Sequence, residues 1–267
     1  MMEILQAIIL GVIEGLTEFL PISSTGHLIV SADVMNYKDT AEIFTVVVQM
    51  GAIAAVIWYY RQDLIAKIAG FFRRDSDSVK FIMIWVLATM PALLIGFLLK
   101  DYLTDYAVAM TVAITLILGG IAIWLIETFH KAVKSSAEAR LEKITKKQAI
   151  LVGFYQIFAL IPGVSRSGAT IMGGLLSGID RVTATAFSFY LSIPVIILAG
   201  SYQLINGRND FDTVAGGGVA LLIGTIVAFI TALFAIKWLL KYVAGHDFKN
   251  FAYYRIILGI IVLVAVV

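Results

Sequence analysis

The strongest constraint on the fold is a series of long apolar segments separated by short polar loops. A helix rises about 1.5 Å per residue, so about 20 apolar residues are needed to cross the hydrocarbon core of a bilayer. Only 14% of the residues are charged, against about a quarter in a soluble domain. The chain is therefore predicted to be an all-α polytopic membrane protein. Six predicted transmembrane helices cover residues 43–60, 81–99, 106–126, 182–207, 213–236 and 250–267.

Two further apolar segments, residues 4–34 and 149–179, are each interrupted by a polar turn. Pro21 ends the first helix, because proline has no N–H and disfavours helix at the preceding residue. Residues 162–168 interrupt the second segment in the same way. The arms are too short to cross a bilayer alone, so both segments predict re-entrant helical hairpins. The first residues contain no basic region or cleavage site, and we expect no removable signal peptide.

Lysines and arginines are concentrated in alternate loops, which orients the predicted helices. The loops at 61–80, 131–147 and 237–249 are basic, and by the positive-inside rule they are cytoplasmic, with both termini outside. Arg255 lies near the start of the last predicted helix. From there we expect its side chain to reach back to the membrane surface. The alternate loops hold little basic charge, represented by Lys38, Lys100 and Arg208.

The two halves of the chain resemble each other. A shift of 142 residues places Gly11 on Gly153, Glu14 on Gln156 and Ser23 on Ser165. We predict one membrane domain, 1–267, with repeat halves at about 1–130 and 148–267 joined by the charged cytoplasmic connector. Each half contains a hairpin and three spans, so the second half is predicted to be inverted relative to the first. Inverted repeats bring broken helices together near the bilayer midplane, where the two polar turns should form one site.

The first polar turn carries two carboxylates followed by hydroxyl groups. Glu14 and Glu18 are four residues apart, which places both on one face of a helix. Such groups within an apolar segment are costly and usually functional. Carboxylate oxygens suit Mg²⁺ or Ca²⁺, so the pair predicts a divalent-cation site, and a short amphipathic entry helix ending in a capped turn is the simpler alternative. The polar run that follows contains Ser23, Ser24, Thr25, Gly26 and His27.

The second polar turn places Arg166 deep in an apolar segment. A guanidinium suits bidentate binding of phosphate or carboxylate, and free N–H groups at the start of a helix also bind anions. The turn therefore predicts an anion cradle. Arg166 could also pair with Glu14 or Glu18 as a structural lock, and both roles can hold together. The cradle would be built by Ser165, Arg166, Ser167, Gly168 and Thr170, with Gln156 as a supporting hydrogen-bond partner.

Three motifs carry a resemblance to a known family. They are Glu-x-x-x-Glu at Glu14 and Glu18, Pro-x-Ser-Ser-Thr-Gly-His from Pro21 to His27, and Pro-Gly-Val-Ser-Arg-Ser-Gly-Ala-Thr from Pro162 to Thr170. The chain resembles bacterial undecaprenyl-diphosphate phosphatases, the bacitracin-resistance protein family, over essentially its whole length. The resemblance implies a polyprenyl diphosphate lipid as substrate, a divalent-cation requirement, and a multi-pass protein of the bacterial plasma membrane. It also implies an active site that opens to the periplasmic side.

The residues allow a mechanism that fits this resemblance. Glu14 and Glu18 would hold the cation, while Arg166 and the cation would stabilise the transferring phosphoryl group. Ser24 is the candidate nucleophile, with His27 as base or leaving-group acid and Glu18 also in the catalytic group. Attack by a metal-bound water, with Ser24 only binding, is equally compatible with the sequence. The predicted diphosphate contacts are Ser23, Thr25, Gly26, Ser165, Arg166, Ser167, Gly168 and Thr170.

Two other function classes share some of these features. Broken helices in inverted repeats are typical of secondary transporters, so a transporter or lipid flippase with an anion site is the main alternative. An intramembrane protease using Ser24 and His27 is the second alternative, but it gives no role to the carboxylate pair or to Arg166. The net charge of +2 gives no indication of nucleic-acid binding, and a homodimer is left open.

Overall fold

A computed structural model describes residues 2–37, 39, 42–103, 109–130, 133 and 138–266. Outside this described part lie the predicted loop residues Lys38, Lys131 and Lys134, and Tyr106 at the start of a predicted helix. The α-helices of the described part are α1 (Met2–Thr17), α2 (Ser24–Val34), α3 (Ile43–Tyr59), α4 (Arg61–Phe72), α5 (Ser76–Leu103), α6 (Ala109–Phe129), α7 (Lys146–Ile157), α8 (Arg166–Leu176), α9 (Arg181–Asn206), α10 (Gly217–Val243) and α11 (Lys249–Val266).

Several of these helices are long and apolar enough to cross a membrane. By length and composition, four described helices qualify: Ser76–Leu99 within α5, and all of α6, α9 and α10. A fifth results if α3 and α4 are counted as one bent span. The all-helical, multi-pass prediction is therefore confirmed at this level.

Both predicted helix breaks are present. The first separates α1 from α2, where Ser23 has a φ of 70° and its Oγ accepts a hydrogen bond of 3.3 Å from the Gly26 amide. The second follows α7 and a 3₁₀ turn, and Ser165 caps α8 in the same way, with 3.0 Å from the Gly168 amide to its Oγ. These serines satisfy amide groups that have no partner within the helix. Each break is thus followed by a serine-capped helix.

Close helix contacts hold the two broken segments in the bundle. α1 packs on α10, and α7 packs on α5. At these crossings glycine is required, since a Cβ at Gly11 would lie 2.5 Å from the Gly224 carbonyl oxygen and one at Gly153 would lie 2.7 Å from the Ala88 carbonyl oxygen. Small residues allow helix backbones to approach closely in membrane bundles. Gly11 and Gly153, which the shift of 142 residues relates, therefore both lie at close helix crossings.

α9 forms the centre of the bundle. It packs on α3, α5, α8 and α10, and most of its length is buried. Aromatic rings surround its middle, where Phe189 meets Phe19 edge-on at 5.4 Å and the Trp85 indole donates to the Tyr190 carbonyl oxygen at 2.8 Å. This central position places α9 behind both polar turns.

α4 was not predicted, because the basic residues of 61–80 indicate a loop. It follows α3 after a bend of 73°. Its side chains Ile65, Ile68 and Phe72 are exposed, while Asp63 and Lys67 form a 3.0 Å ion pair one turn apart. An amphipathic helix of this kind is typical of the membrane interface.

Candidate active site

The two polar turns meet directly, as the sequence predicts. The Ser167 hydroxyl donates to the Leu20 carbonyl oxygen at 2.8 Å, and the Ser165 hydroxyl donates to the same oxygen at 3.4 Å. Arg166 and Glu18 form an ion pair with 2.9 Å between Nη2 and Oε1. The first and second polar turns therefore build one site.

Glu18 is the centre of this site. Its Oε1 accepts from Arg166, and its Oε2 accepts from the Ser24 hydroxyl at 2.5 Å and from the Gln49 amide at 3.4 Å. The residue is only 6% exposed. Because a carboxylate is an acceptor only, the Ser24 hydroxyl must point its proton at Glu18. Glu18 is thus the hydrogen-bond acceptor of the Ser24 hydroxyl.

Arg166 is held from two sides. Its Nη2 donates to Glu18, and its Nη1 donates to the carbonyl oxygen of Ser188 on α9 at 2.9 Å. The Thr170 hydroxyl donates to Ser188 Oγ at 2.7 Å, while Arg166 Nε has no hydrogen-bond partner among the described residues. Ser188 was missed by the sequence analysis, although a serine inside an apolar span was a usable signal.

Glu14 and Gln156 lie buried beneath this cluster. Each is 1% exposed, and each has a side-chain oxygen, Oε1, without a hydrogen-bond partner among the described residues. Glu14 interacts electrostatically with both Glu18 and Arg166, and Gln156 donates to the Ala88 carbonyl oxygen at 3.3 Å. Buried polar groups without partners are costly, so these oxygens are available to a further ligand.

A cavity of about 840 Å³ opens beside the two turns. One end is polar and contains both Ser24 and Arg166. The remaining wall is mostly apolar and comes mainly from α5 and α9. The polar lining at the turns consists of Glu18, Ser23, Ser24, Thr25, Gln49, Gln156, Ser165 and Arg166, the mostly apolar wall includes Leu93, Phe97, Leu160, Val164, Ile196 and Ala199, and Tyr202, Gln203 and Asn206 line it near the end of α9.

Other predicted site residues lie behind this lining. His27 faces α11, where Nε2 lies 2.8 Å from the Tyr254 hydroxyl and the two rings stack with centroids 5.6 Å apart. Its Nδ1 lies 2.7 Å from the Ser23 carbonyl oxygen. The structure therefore places His27 next to the first turn but outside the cavity wall. Glu14, Gly26, Ser167, Gly168 and Thr170 also lie outside the wall, in contact with residues that form it.

Fold and site together define a helical multi-pass membrane protein with an anion-suited centre where two broken helices meet. The chain matches the family model described as "Bacitracin resistance protein BacA" over residues 7–261, and it belongs to this family. It is 46% identical to an "Undecaprenyl-diphosphatase" of Methylobacillus flagellatus, over 97% of each chain. It is also 46% identical to "Undecaprenyl-diphosphatase 3" of Acinetobacter baylyi, over 98% of this chain and 97% of the relative. The resemblance drawn from the motifs is thus confirmed.

Proposed function

We propose that this protein is a membrane phosphatase that hydrolyses undecaprenyl diphosphate to undecaprenyl phosphate and phosphate. This reaction recycles the lipid carrier for peptidoglycan synthesis and confers bacitracin resistance. The observation that carries the proposal is the junction of Ser24, Glu18 and Arg166 at the polar end of a cavity with apolar walls. Family membership over nearly the whole chain supports the same conclusion.

The cavity matches the two chemical parts of such a substrate. The diphosphate would lie against Arg166 and the hydroxyl groups of both turns, because a guanidinium binds phosphate oxygens through paired donors. The prenyl chain would lie between Phe97, Leu160 and Ile196, where it loses contact with water. A free anion carrier would have no need of this long apolar wall.

The geometry favours Ser24 as the nucleophile. Its oxygen attacks the terminal phosphorus while its proton passes to Glu18, and the bridging P–O bond breaks to release undecaprenyl phosphate. The proton then passes from Glu18 to the departing undecaprenyl phosphate, which frees the carboxylate to take a proton from the water that attacks the phosphoserine. That proton returns to Ser24 Oγ as the serine P–O bond breaks and inorganic phosphate is released. Arg166 stabilises the negative charge of the transferring group, which is the main task of a phosphoryl-transfer site.

The donor set also fits a divalent cation. Glu14 has an unpaired buried oxygen beside Glu18, and hard cations prefer such oxygen ligands. No group of three or more metal-ligating acidic, histidine or cysteine side chains occurs in the part of the chain that the structure describes. Water and substrate oxygens would therefore complete the ligand shell. When bound, Mg²⁺ or Ca²⁺ would neutralise charge on the diphosphate and polarise the phosphorus.

We also propose the full architecture of six transmembrane helices and two re-entrant hairpins in an inverted repeat. The paired glycine contacts at Gly11 and Gly153 support it, since each lies between one half's broken helix and a long helix of the other half. The matching serine caps at Ser23 and Ser165 support it as well. The two glycines and the two capping serines are each related by the shift of 142 residues between the halves.

The same architecture orients the site. The cavity reaches Tyr202 and Asn206 in the last turns of α9. The loop that follows α9 has little basic charge, so the positive-inside rule places it outside the cell. We therefore propose that the active site opens to the periplasmic side of the plasma membrane.

Cysteine labelling tests this orientation, since the chain has no native cysteine. We expect a cysteine at Asn209 to react with an impermeant reagent only from outside, and one at Ser136, outside the described residues, only from the cytoplasm. Tags at either terminus should be accessible from outside. Labelling of the two cysteines from the opposite sides would contradict the proposed topology.

Purified protein tests the activity and the metal together. We expect phosphate release from a long-chain polyprenyl diphosphate, loss of release with a chelator, and recovery with Mg²⁺ or Ca²⁺. Glu14→Gln keeps the side-chain volume but removes a charged ligand, so activity should fall strongly and more cation should be needed for half-maximal rate. An unchanged cation requirement would remove Glu14 from the metal site. A pure transporter would release no phosphate at all.

A further inference from the structure

Arg255 does not lie where its sequence position suggests. The expectation that it reaches the membrane surface is wrong, because the residue is 1% exposed and is the largest fully buried side chain of the described chain. α11 packs along α6, and Gly119 leaves space for the guanidinium, since a Cβ there would lie 2.3 Å from Arg255 Nη2. The side chain therefore points inward, toward the turns.

The Arg255 guanidinium contacts both polar turns at once. Nη1 donates to the Pro21 carbonyl oxygen of the first turn at 3.2 Å. Nη2 donates to the Gly163 carbonyl oxygen of the second turn at 3.1 Å. Nη2 and Nε also donate to α6, at the carbonyl oxygens of Thr115, 3.1 Å away, and Leu116, 3.4 Å away.

These acceptors explain why a buried cation is present here. Broken helices leave carbonyl groups without intrahelical partners, and such groups are costly in an apolar interior. Within the described residues, no carboxylate forms an ion pair with Arg255. Its charge is therefore met by backbone dipoles alone. A planar group with five donors can serve several carbonyls at fixed angles, which an ammonium group cannot do.

A side chain of α6 also contacts the second turn. The Thr115 hydroxyl donates to the Pro162 carbonyl oxygen at 2.8 Å. Gly163, with a φ of +84°, fits closely against this threonine, since a Cβ would lie 2.1 Å from its Oγ1. α6 and α11 thus form a common support behind the two turns.

We propose that Arg255 is a positioning residue that sets the relative place of the two turns, and through them the distance from Ser24 to Arg166. It acts from behind the cavity wall and does not touch the substrate. Its effect on turnover rests on the proposed phosphatase function, whereas its effect on turn geometry does not. Displacing the guanidinium should lower kcat more than it changes KM, because the apolar wall of the cavity comes mainly from α5 and α9.

The sharpest test is Gly119→Ala, because the added Cβ would displace the Arg255 guanidinium although Arg255 itself is not substituted. Alanine also favours helix over glycine, so the thermal midpoint should not fall much. We expect kcat to fall about tenfold or more, because a misplacement of about 1 Å can cost about 10²-fold. Gly218→Ala on α10 is the matched control, since nothing lies within 4 Å of a Cβ there, and it should retain parental kcat. Parental kcat in Gly119→Ala would overturn the proposal.

Arg255→Lys and Arg255→Gln test whether the planar guanidinium of Arg255 is required. Lysine keeps the charge but can donate to fewer carbonyl groups. The kcat of Arg255→Lys should therefore lie between those of Arg255→Gln and the parent, with KM nearly constant in both variants. If both variants lose folded protein while the remaining folded fraction keeps parental kcat, the role is only structural and the proposal fails.

A readout without substrate separates this proposal from the phosphatase assignment. Spin labels on cysteines at Thr25 and Val164 report the distance between the turns, in a chain with no native cysteine. We expect Gly119→Ala and Arg255→Gln to shift or broaden this distance distribution, and Gly218→Ala to leave it unchanged. If the parent released no phosphate, the phosphatase proposal would fail and the distances alone would decide. Unchanged distances in both variants would contradict the positioning role.

Discussion

Ser24→Ala is expected to abolish nearly all phosphate release while leaving the protein folded. The substitution removes the attacking oxygen and its 2.5 Å hydrogen bond to Glu18, but it leaves the Arg166–Glu18 ion pair intact. The measurement is the single-turnover rate of purified protein on a polyprenyl diphosphate. An acid-quenched sample of the parent should contain phosphoserine at position 24.

The alternative route predicts a different result. If water attacks and Ser24 only binds, alanine removes one transition-state hydrogen bond, which costs on the order of 10²–10³ in rate. A residual rate in that range, with no phosphoserine in the parent, would contradict the serine route. Ser23→Ala is the matched control, because it deletes the neighbouring hydroxyl and its 3.3 Å cap on Gly26. It should cost stability of about 1 kcal/mol and much less rate.

The parts of the site that the sequence predicts well are those with strong local signals. A proline, a capping serine or a carboxylate inside an apolar segment is unusual in itself, so both helix breaks could be located without a structure. Their meeting could be inferred because the repeat relates Ser23 to Ser165. The hydrogen bonds from Ser165 and Ser167 to the Leu20 carbonyl oxygen confirm that inference.

Pairings between distant residues could not be read from local patterns. The Ser24 hydroxyl donates its hydrogen bond to Glu18 and not to His27, because the start of α2 turns Ser24 toward Glu18 and His27 toward Tyr254. Arg255 looks like an interfacial arginine until its backbone acceptors are known. Such acceptors carry no sequence signature, since every residue has a carbonyl group.

α4 was missed for a related reason. Its basic residues are typical of a cytoplasmic loop, and its apolar residues form too short a run to predict a span. The helix there is supported by tertiary contacts, which a local sequence pattern does not show. Asp63, for example, accepts a short hydrogen bond from the Tyr190 hydroxyl of α9, and Lys67 lies over the Phe81 ring of α5 at 4.7 Å.

Arg166→Lys is expected to lose most of the activity although the charge is kept. The guanidinium divides its donors between Glu18, just after α1, and Ser188 on α9, both at 2.9 Å, and its Nε has no hydrogen-bond partner among the described residues. Lysine offers a single point charge, so it cannot hold both partners and also bind a phosphate through a planar fork. We expect kcat/KM to fall by about 10³, the lower range for removal of a transition-state arginine in phosphoryl transfer.

Arg181→Lys provides the matched control for this change. Arg181 makes two hydrogen bonds to Glu127 at the start of α9, and neither residue lines the cavity. The same substitution there should lower thermal stability and leave kcat/KM near the parental value. The decisive measurement is kcat/KM of both variants on the same lipid, normalised to folded protein. If Arg166→Lys retained activity comparable to Arg181→Lys, Arg166 would be a structural lock between the first turn and α9, and charge stabilisation would have to come from the cation held by the carboxylate pair.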